Sequence, residues 1–504
     1  MRSPQPNLDY GGDVGLWFWC LAIATGMAAG LAAGLLMQLL RLVQSLAWGE
    51  GAAGFAAAVE TSSSQHRLAV LAGAGILVAL GGLAMRRGGR IGGGHAGELS
   101  AVIWFGGGRL PFIGTLAQGV LSITAVGLGA SLGREAAPKQ AGAAFGSLFA
   151  RRLRLSPSHT RILAALGAGA GIASVYEVPL GGALFALEVL LGSLVLPLVG
   201  PAVLASGSAT AAAWLLLPDR AIYTVPNDAV TASLFGFAVL AGPLAGLAAA
   251  AYVRLIAFAD AHRPSGASAV LAPIIVLALL GGVAVLLPQI LGNGKDVAEG
   301  AFTGGIDWPL LALLVVAKPL ATAACLGCGA PGGLFTPTVA FGAVFGGLLG
   351  VGWNLVWPGA EAGACALIAA TALLAAATHG PLSSVVLMLE LTRRLDSLMV
   401  PVLVAVAGAM LVARYLEPRS LYACRIREGR AAADADPTAI SAAAPYAEVL
   451  RGLLAGGPVP RVLDETGTCL GHLDAERVRA PARDDGPLVA ATAGDFLSSP
   501  ERRG

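Results

Sequence analysis

Charge is scarce in this sequence. Asp, Glu, Lys and Arg make up 12% of its 504 residues, against about 25% in a soluble globular domain. A surface that must face water cannot be built from so few charges. Nor is one sign in excess. The net charge is +2, without the basic stripe that a nucleic-acid partner needs. Cysteine is limited to six residues, most in apolar or terminal segments, and no disulfide framework emerges. Cys325 and Cys328 form a C-x-x-C with no second pair and no histidine nearby, so no metal site is expected. H-E-x-x-H and P-loop patterns are missing, and with them two common signatures of an enzyme. No cofactor is expected. No cleavable leader is expected either, because the first apolar run, Gly15 to about Leu46, is far longer than a signal-peptide core.

What the chain has is apolar length. It is 56% hydrophobic, with a mean hydropathy of +0.75. Its 70 glycines sit inside apolar runs, where small residues let membrane helices approach. Gly26, Gly30 and Gly34 recur every four residues in the first run. Clear spans are expected at about 15–46, 67–85, 112–130, 192–217, 231–259, 268–289, 307–326, 361–378 and 398–416. Shorter apolar pieces, broken by Gly, Pro and single charges, lie at about 93–104, 134–149, 161–173, 179–191, 334–352 and 382–391. Such pieces usually line a site, because unwound backbone at membrane depth needs protein or water partners. The pattern predicts an all-α polytopic membrane protein with interrupted, re-entrant helices. Loop charge places the cytoplasmic side near Arg151, Arg152 and Arg154, and near Arg393 and Arg394.

The sequence also repeats itself. YEVPLGGALFALEVLL (176–191) and THGPLSSVVLMLELTR (378–393) each place a Glu nine residues after a Pro: Glu188 after Pro179, Glu390 after Pro381. GREAAPKQAGAAFG (133–146) and GGLFTPTVAFGAVFG (332–346) form a second pair. The offsets agree, with 202 residues from Pro179 to Pro381 and 199 from Pro138 to Pro337. Two halves with interruptions at matching places predict a repeat-built transporter, with binding at the repeat interface near the bilayer midplane. The chain divides accordingly into 1–14 (cytoplasmic), 15–217 and 218–425 (the two repeats), and 426–504, a short cytoplasmic tail. Three glycine-rich turns could deliver helix N-termini to that interface: Gly92 onward, Gly133 onward and Gly333 onward. Free N–H groups and the positive dipole end there can hold an anion without a full positive charge.

These residues carry a resemblance to the CLC family of chloride channels and proton-coupled chloride transporters. SLGREAAPKQAG (131–142) resembles the family's G-R-E-G-P motif, and GAPGGLFTPTVAFGAVFG (329–346) closely resembles its G-x-F-x-P motif. EVPLGGALFALE (177–188) and HGPLSSVVLMLE (379–390) look like its dimer-interface helices, and SLYACR (420–425) resembles its tyrosine-bearing segment. The resemblance covers roughly residues 15–425 and implies an inverted-repeat fold, a homodimer and one chloride pathway per subunit. It implies that Glu135 is the gating carboxylate and that backbone N–H groups at Gly333, Leu334 and Phe335 hold the anion. Tyr422 then contacts the anion from the inner side, and Arg134 supports the gate or pairs structurally.

The departures are informative. The family's G-S-G-I-P appears as GGGHAGE (92–98), so the anion-contacting serine is Gly93. The N–H groups of Gly93 and Gly94 remain, and the family's chloride, nitrate or fluoride preference is left open. His95 is new in that loop. Ala136 and Ala137 replace the Gly and Pro after the gate, with Pro138 one place late. The inner glutamate of the family's exchangers is here Val189, which cannot carry a proton. That favours passive conduction, with proton-coupled antiport as the alternative, while Glu188 is expected to cap or pair structurally. In the tail, 457–474 resembles a strand-turn-strand piece of a CBS domain.

Overall fold

The computed structural model describes residues 15–49, 54–87, 99–104, 107–225, 230–393, 398–426, 439–441, 461–463 and 469–473. Lipid offers backbone N–H groups no partner, so the apolar runs close their hydrogen bonds internally as helices. The first set is α1 (Leu16–Trp48), α2 (Gly54–Thr61), α3 (Ser64–Arg87), α4 (Leu99–Trp104), α5 (Phe112–Gly127), α6 (Ala136–Arg152), α7 (Pro157–Tyr176), α8 (Pro179–Leu184) and α9 (Leu196–Ala213). A π-helical stretch, Phe185–Leu190, continues α8. The second set is α10 (Ala232–Ala261), α11 (Ser268–Leu286), α12 (Lys295–Phe302), α13 (Trp308–Gly327), α14 (Phe335–Val356), α15 (Ala362–Thr378), α16 (Pro381–Thr392) and α17 (Met399–Leu416). Eight of the described helices are long and apolar enough to cross a membrane, and the chain is a multi-pass membrane protein.

Three expectations need correcting. The segment at 334–352 is no short piece: α14 has 22 residues and sufficient hydropathy to span. Conversely, α5 and α15, expected as clear spans, have 16 and 17 residues. The third correction concerns sidedness. Arg151, Arg152 and Arg154 precede α7, whereas Arg393 bonds Glu177, just after α7. Arg394 lies outside the described residues. A 20-residue helix is about 30 Å long, so Arg393 and the Arg151, Arg152 and Arg154 cluster lie at opposite ends of α7. They cannot mark the same side, which is what an inverted second repeat produces.

The core is built around α7 and α15. Every residue is buried over 162–176 and again over 363–378. Ala and Gly dominate both stretches, so neighbouring helices come close. Their serine and threonine hydroxyls bond back along their own helices, Ser174 to Ala170 O and Thr371 to Leu367 O. The glycine stripe of α1 does the same against α9. A Cβ on Gly26 or Gly30 would lie 2.1 Å from Ala205 O or Ala209 O, so only glycine permits that contact.

Residues 426–504 belong to a separate compact unit. Its described part is a small sheet in the order β1 (Ala439–Ser441), β2 (Arg461–Leu463), β3 (Cys469–His472), with β1–β2 parallel and β2–β3 antiparallel.

Candidate functional site

The two repeats meet at Gly133 and Gly333. Each N–H donates to the other's carbonyl, at 2.7 and 2.8 Å. Helix α6 starts three residues after Gly133 and α14 two residues after Gly333, so both N-termini converge on one point. Pro138 and Pro337 each occupy the third position of their helix. First-turn N–H groups have no intrahelical partner, so proline costs no bond there. This is the physical reason for the matched prolines in the sequence.

Glu135 fills the point of convergence. Its residue is 1% exposed, and Phe335 N–H donates to Oε1 at 2.7 Å. Oε2 accepts from the Tyr176 hydroxyl at 3.1 Å and from Thr336 Oγ1 at 3.3 Å. A Cβ on Gly133 or Gly333 would fall 2.2 or 1.9 Å from a carboxylate oxygen, so both glycines are needed for the carboxylate to sit there. Leu334, the residue before α14, and Phe335 are each 1% exposed. A negative group at two helix N-termini is stabilised by the orphan N–H groups and both dipoles. The place is therefore chemically an anion seat, occupied by the protein's own carboxylate. A protonated Glu135 gives up most of that attraction.

Arg134, next to Glu135 in sequence, lines a cavity of ≈ 390 Å³ with residues of both signs, among them Arg41, Glu177, Lys295 and Glu299. The Arg134 guanidinium lies 5.2 Å from the Tyr176 ring centroid, between this cavity and the seat. Tyr422 is on the other side of the sequence map, near the end of the helical unit. It is 2% exposed, with its ring edge-on to Phe185 at 5.7 Å. Lys139, one turn along α6 from Glu135, places its ammonium 4.6 Å from the Tyr422 ring. So Glu135, Gly333, Leu334 and Phe335 come together directly, and Tyr422 adjoins them through Lys139. Gly93 and Gly94, with His95, lie outside the described residues.

Glu188 and Val189 fall within the π-helical stretch. Glu188 accepts from Leu382 N–H at 3.2 Å and Ser383 N–H at 2.6 Å, capping α16. Glu390 does the same for α8 through Leu180 and Gly181 N–H, at 3.0 and 2.7 Å. The nine-residue Pro-to-Glu spacing is thus a reciprocal cap: each repeat's glutamate closes the other's helix start. Val189 is 5% exposed and packs near Gly380.

The sequence reading missed Tyr176, Thr336 and Lys139. Thr336 and Lys139 stand inside motifs already singled out, and a lysine in an apolar helix was the available signal. Tyr176 carries none, because a lone aromatic at the end of an apolar Ala/Gly run reads as core.

Comparison with known proteins agrees with this architecture. A family model described as Voltage gated chloride channel matches residues 74–414. A putative chloride channel protein ClcB-like of Ralstonia nicotianae is 34% identical over 351 residues, covering 66% of this chain and 80% of that protein. Among solved structures, a slow cyanobacterial Cl-/H+ antiporter superposes with a TM-score of 0.71 at 21% identity, covering 81% of this chain and 97% of its own. A CLC-type fluoride/proton antiporter gives 0.67 at 19% identity, with the same coverages. With more than half its length matched by the family model and its repeats joined at an anion seat, the chain belongs to the voltage-gated chloride channel, or CLC, family.

Proposed function

We propose that this protein carries chloride across the membrane by passive conduction, through a pathway gated by Glu135. The observation that carries the reading is the anion seat filled by a titratable carboxylate. When Glu135 is protonated or displaced, an external anion takes its place on the N–H groups of Leu334 and Phe335, while Gly333, whose own N–H donates to Gly133 O, leaves the room for it. Gly93, Gly94 and Tyr422 complete the pathway as further anion contacts, with Arg134 drawing anions toward the gate. Chloride is the ion in the name of the Ralstonia nicotianae relative. Passive conduction is favoured because Val189 cannot hold a proton and both oxygens of Glu188 are engaged in capping α16. Two copies associate through the faces that include α8 and α16, each with its own pathway.

Proton-coupled antiport is the second reading. The solved structures of similar fold are named as a Cl-/H+ and a fluoride/proton antiporter, and the buried Glu135 carboxylate is itself a proton carrier. Paired chloride and proton flux in liposomes, under a chloride gradient alone, separates the two. Chloride efflux without proton movement supports conduction. Uphill proton movement means antiport and demands a proton route that bypasses Val189. Fluoride and nitrate belong in the same assay, because Gly93 stands where the family has serine. Glu135→Gln makes flux insensitive to pH; an unchanged pH profile would remove Glu135 from the gate.

A further inference from the structure

Glu135 is held at both of its oxygens, by donors from different helices. Its oxygens are served separately, Oε1 by the Phe335 N–H and Oε2 by the hydroxyls of Tyr176 and Thr336. A carboxylate presents two acceptor atoms, whereas a halide is one sphere that takes the place of one of them. The second donor set is therefore matched to a carboxylate rather than to the ion.

Tyr176 is fixed for this contact. It ends α7 and is 2% exposed. Its ring lies 5.5 Å from the Phe335 ring and beneath the Arg134 guanidinium. The next residue, Glu177, takes the left-handed conformation at φ 56 and ends the helix there. Thr336 reaches in from the first turn of α14, its hydroxyl in contact with both the Tyr176 oxygen and Glu135, so that two hydroxyl protons are shared among three contacts. One hydroxyl thus comes from each repeat.

We infer that Tyr176, with Thr336, latches the ionised Glu135 carboxylate in its seat, a positioning role that sets how strongly an external anion must compete to enter. The inference rests on the reading of Glu135 as the gate. Without the latch the carboxylate yields at lower chloride, while the N–H groups that receive the ion are untouched. Phenylalanine at 176 keeps the ring packing and removes only the donor.

The test is the half-saturating chloride concentration for flux in liposomes at one pH. It is measured for the parent protein, Tyr176→Phe, Glu135→Gln and the double variant, with Thr336→Val as an independent break of the latch. Tyr176→Phe is expected to lower the value about tenfold, the effect of losing a hydrogen bond to a charged group. Thr336→Val should shift it in the same direction. On the Glu135→Gln background, Tyr176→Phe is expected to change nothing, because the two act as one unit. A rise in half-saturating chloride on both backgrounds would show the hydroxyl serving the ion directly and overturn the latch. No shift from either latch variant in the parent would overturn it too. If Glu135→Gln itself leaves flux and its pH profile unchanged, the gate reading fails first. Should Tyr176→Phe not assemble, Thr336→Val decides alone.

Discussion

Glu135 can occupy the place of an ion only because two residues beside it have no side chain. Gly333 is the more exacting of the two, since its Cβ would lie 1.9 Å from Oε1. Gly333→Ala should therefore expel the carboxylate and, with Glu135 as the proposed gate, abolish the pH dependence of flux. Flux recorded across a pH series checks this, and a retained profile would mean that the carboxylate seats elsewhere. At this scale the sequence is legible where chemistry is local. Glu135 is an acid within an apolar stretch, and Phe335 stands in a distinctive glycine-proline frame. Tyr176 is illegible for a physical reason: it meets Glu135 across 41 residues and Thr336 across 160. No property of a tyrosine before Glu-Val-Pro announces partners that only the folded chain supplies.

Helix starts and corners carry the next set of consequences. The exchanged caps of α8 and α16 tie the repeats together, and losing one should cost about 1 kcal/mol. Glu188→Gln and Glu390→Gln should lower the thermal stability of the purified protein by similar amounts, measured by unfolding in detergent. Under passive conduction, neither should alter the ratio of proton to chloride movement. The Pro-to-Glu spacing was readable, but its purpose was not, because a cap donated across 195 residues leaves no local trace. A second corner joins Glu177 to Arg393 at 2.8 Å and to the Arg220 N–H at 3.0 Å. Burial, and then sharing with Asp219, push the Glu177 carboxyl up from 4.5 to about 7, against the pull of Arg220 and Arg393. Between those values the folded protein holds a proton that the unfolded chain has released. Glu177 thus contributes stability that is present at acid pH and lost as pH rises toward 7. Asp219 is shifted the other way by Arg393 and titrates below this window. Stability measured from pH 4.5 to 7 should fall with a slope that Glu177→Gln flattens.

The whole molecule is two inverted halves, and that was the most legible level of all. Long apolar runs declare themselves, and a repeated spacing survives even where the intervening residues diverge. What composition could not give was sidedness, because inversion sends equivalent helix ends to opposite faces, and arginines were counted as if both belonged to one. Leu180 and Leu382, 50% and 51% exposed at the starts of α8 and α16, lie on the faces proposed to join two copies. Replacing both with tryptophan should shift the protein from two copies to one, read by mass measurement in nanodiscs. Chloride flux per chain should persist, since each copy holds a complete seat.

The paired hydrogen bonds between Gly133 and Gly333 also bear on how the protein is made. Glu135 and its donor Phe335 are separated by 200 residues. During synthesis the first half must enter the bilayer carrying an acid whose receiving amide has yet to be translated. Until that amide arrives, the carboxyl must stay near water, stay protonated or borrow a temporary partner. A substitution anywhere that delays insertion of the second half can therefore produce a protein with Glu135 misplaced and every residue of its seat unchanged.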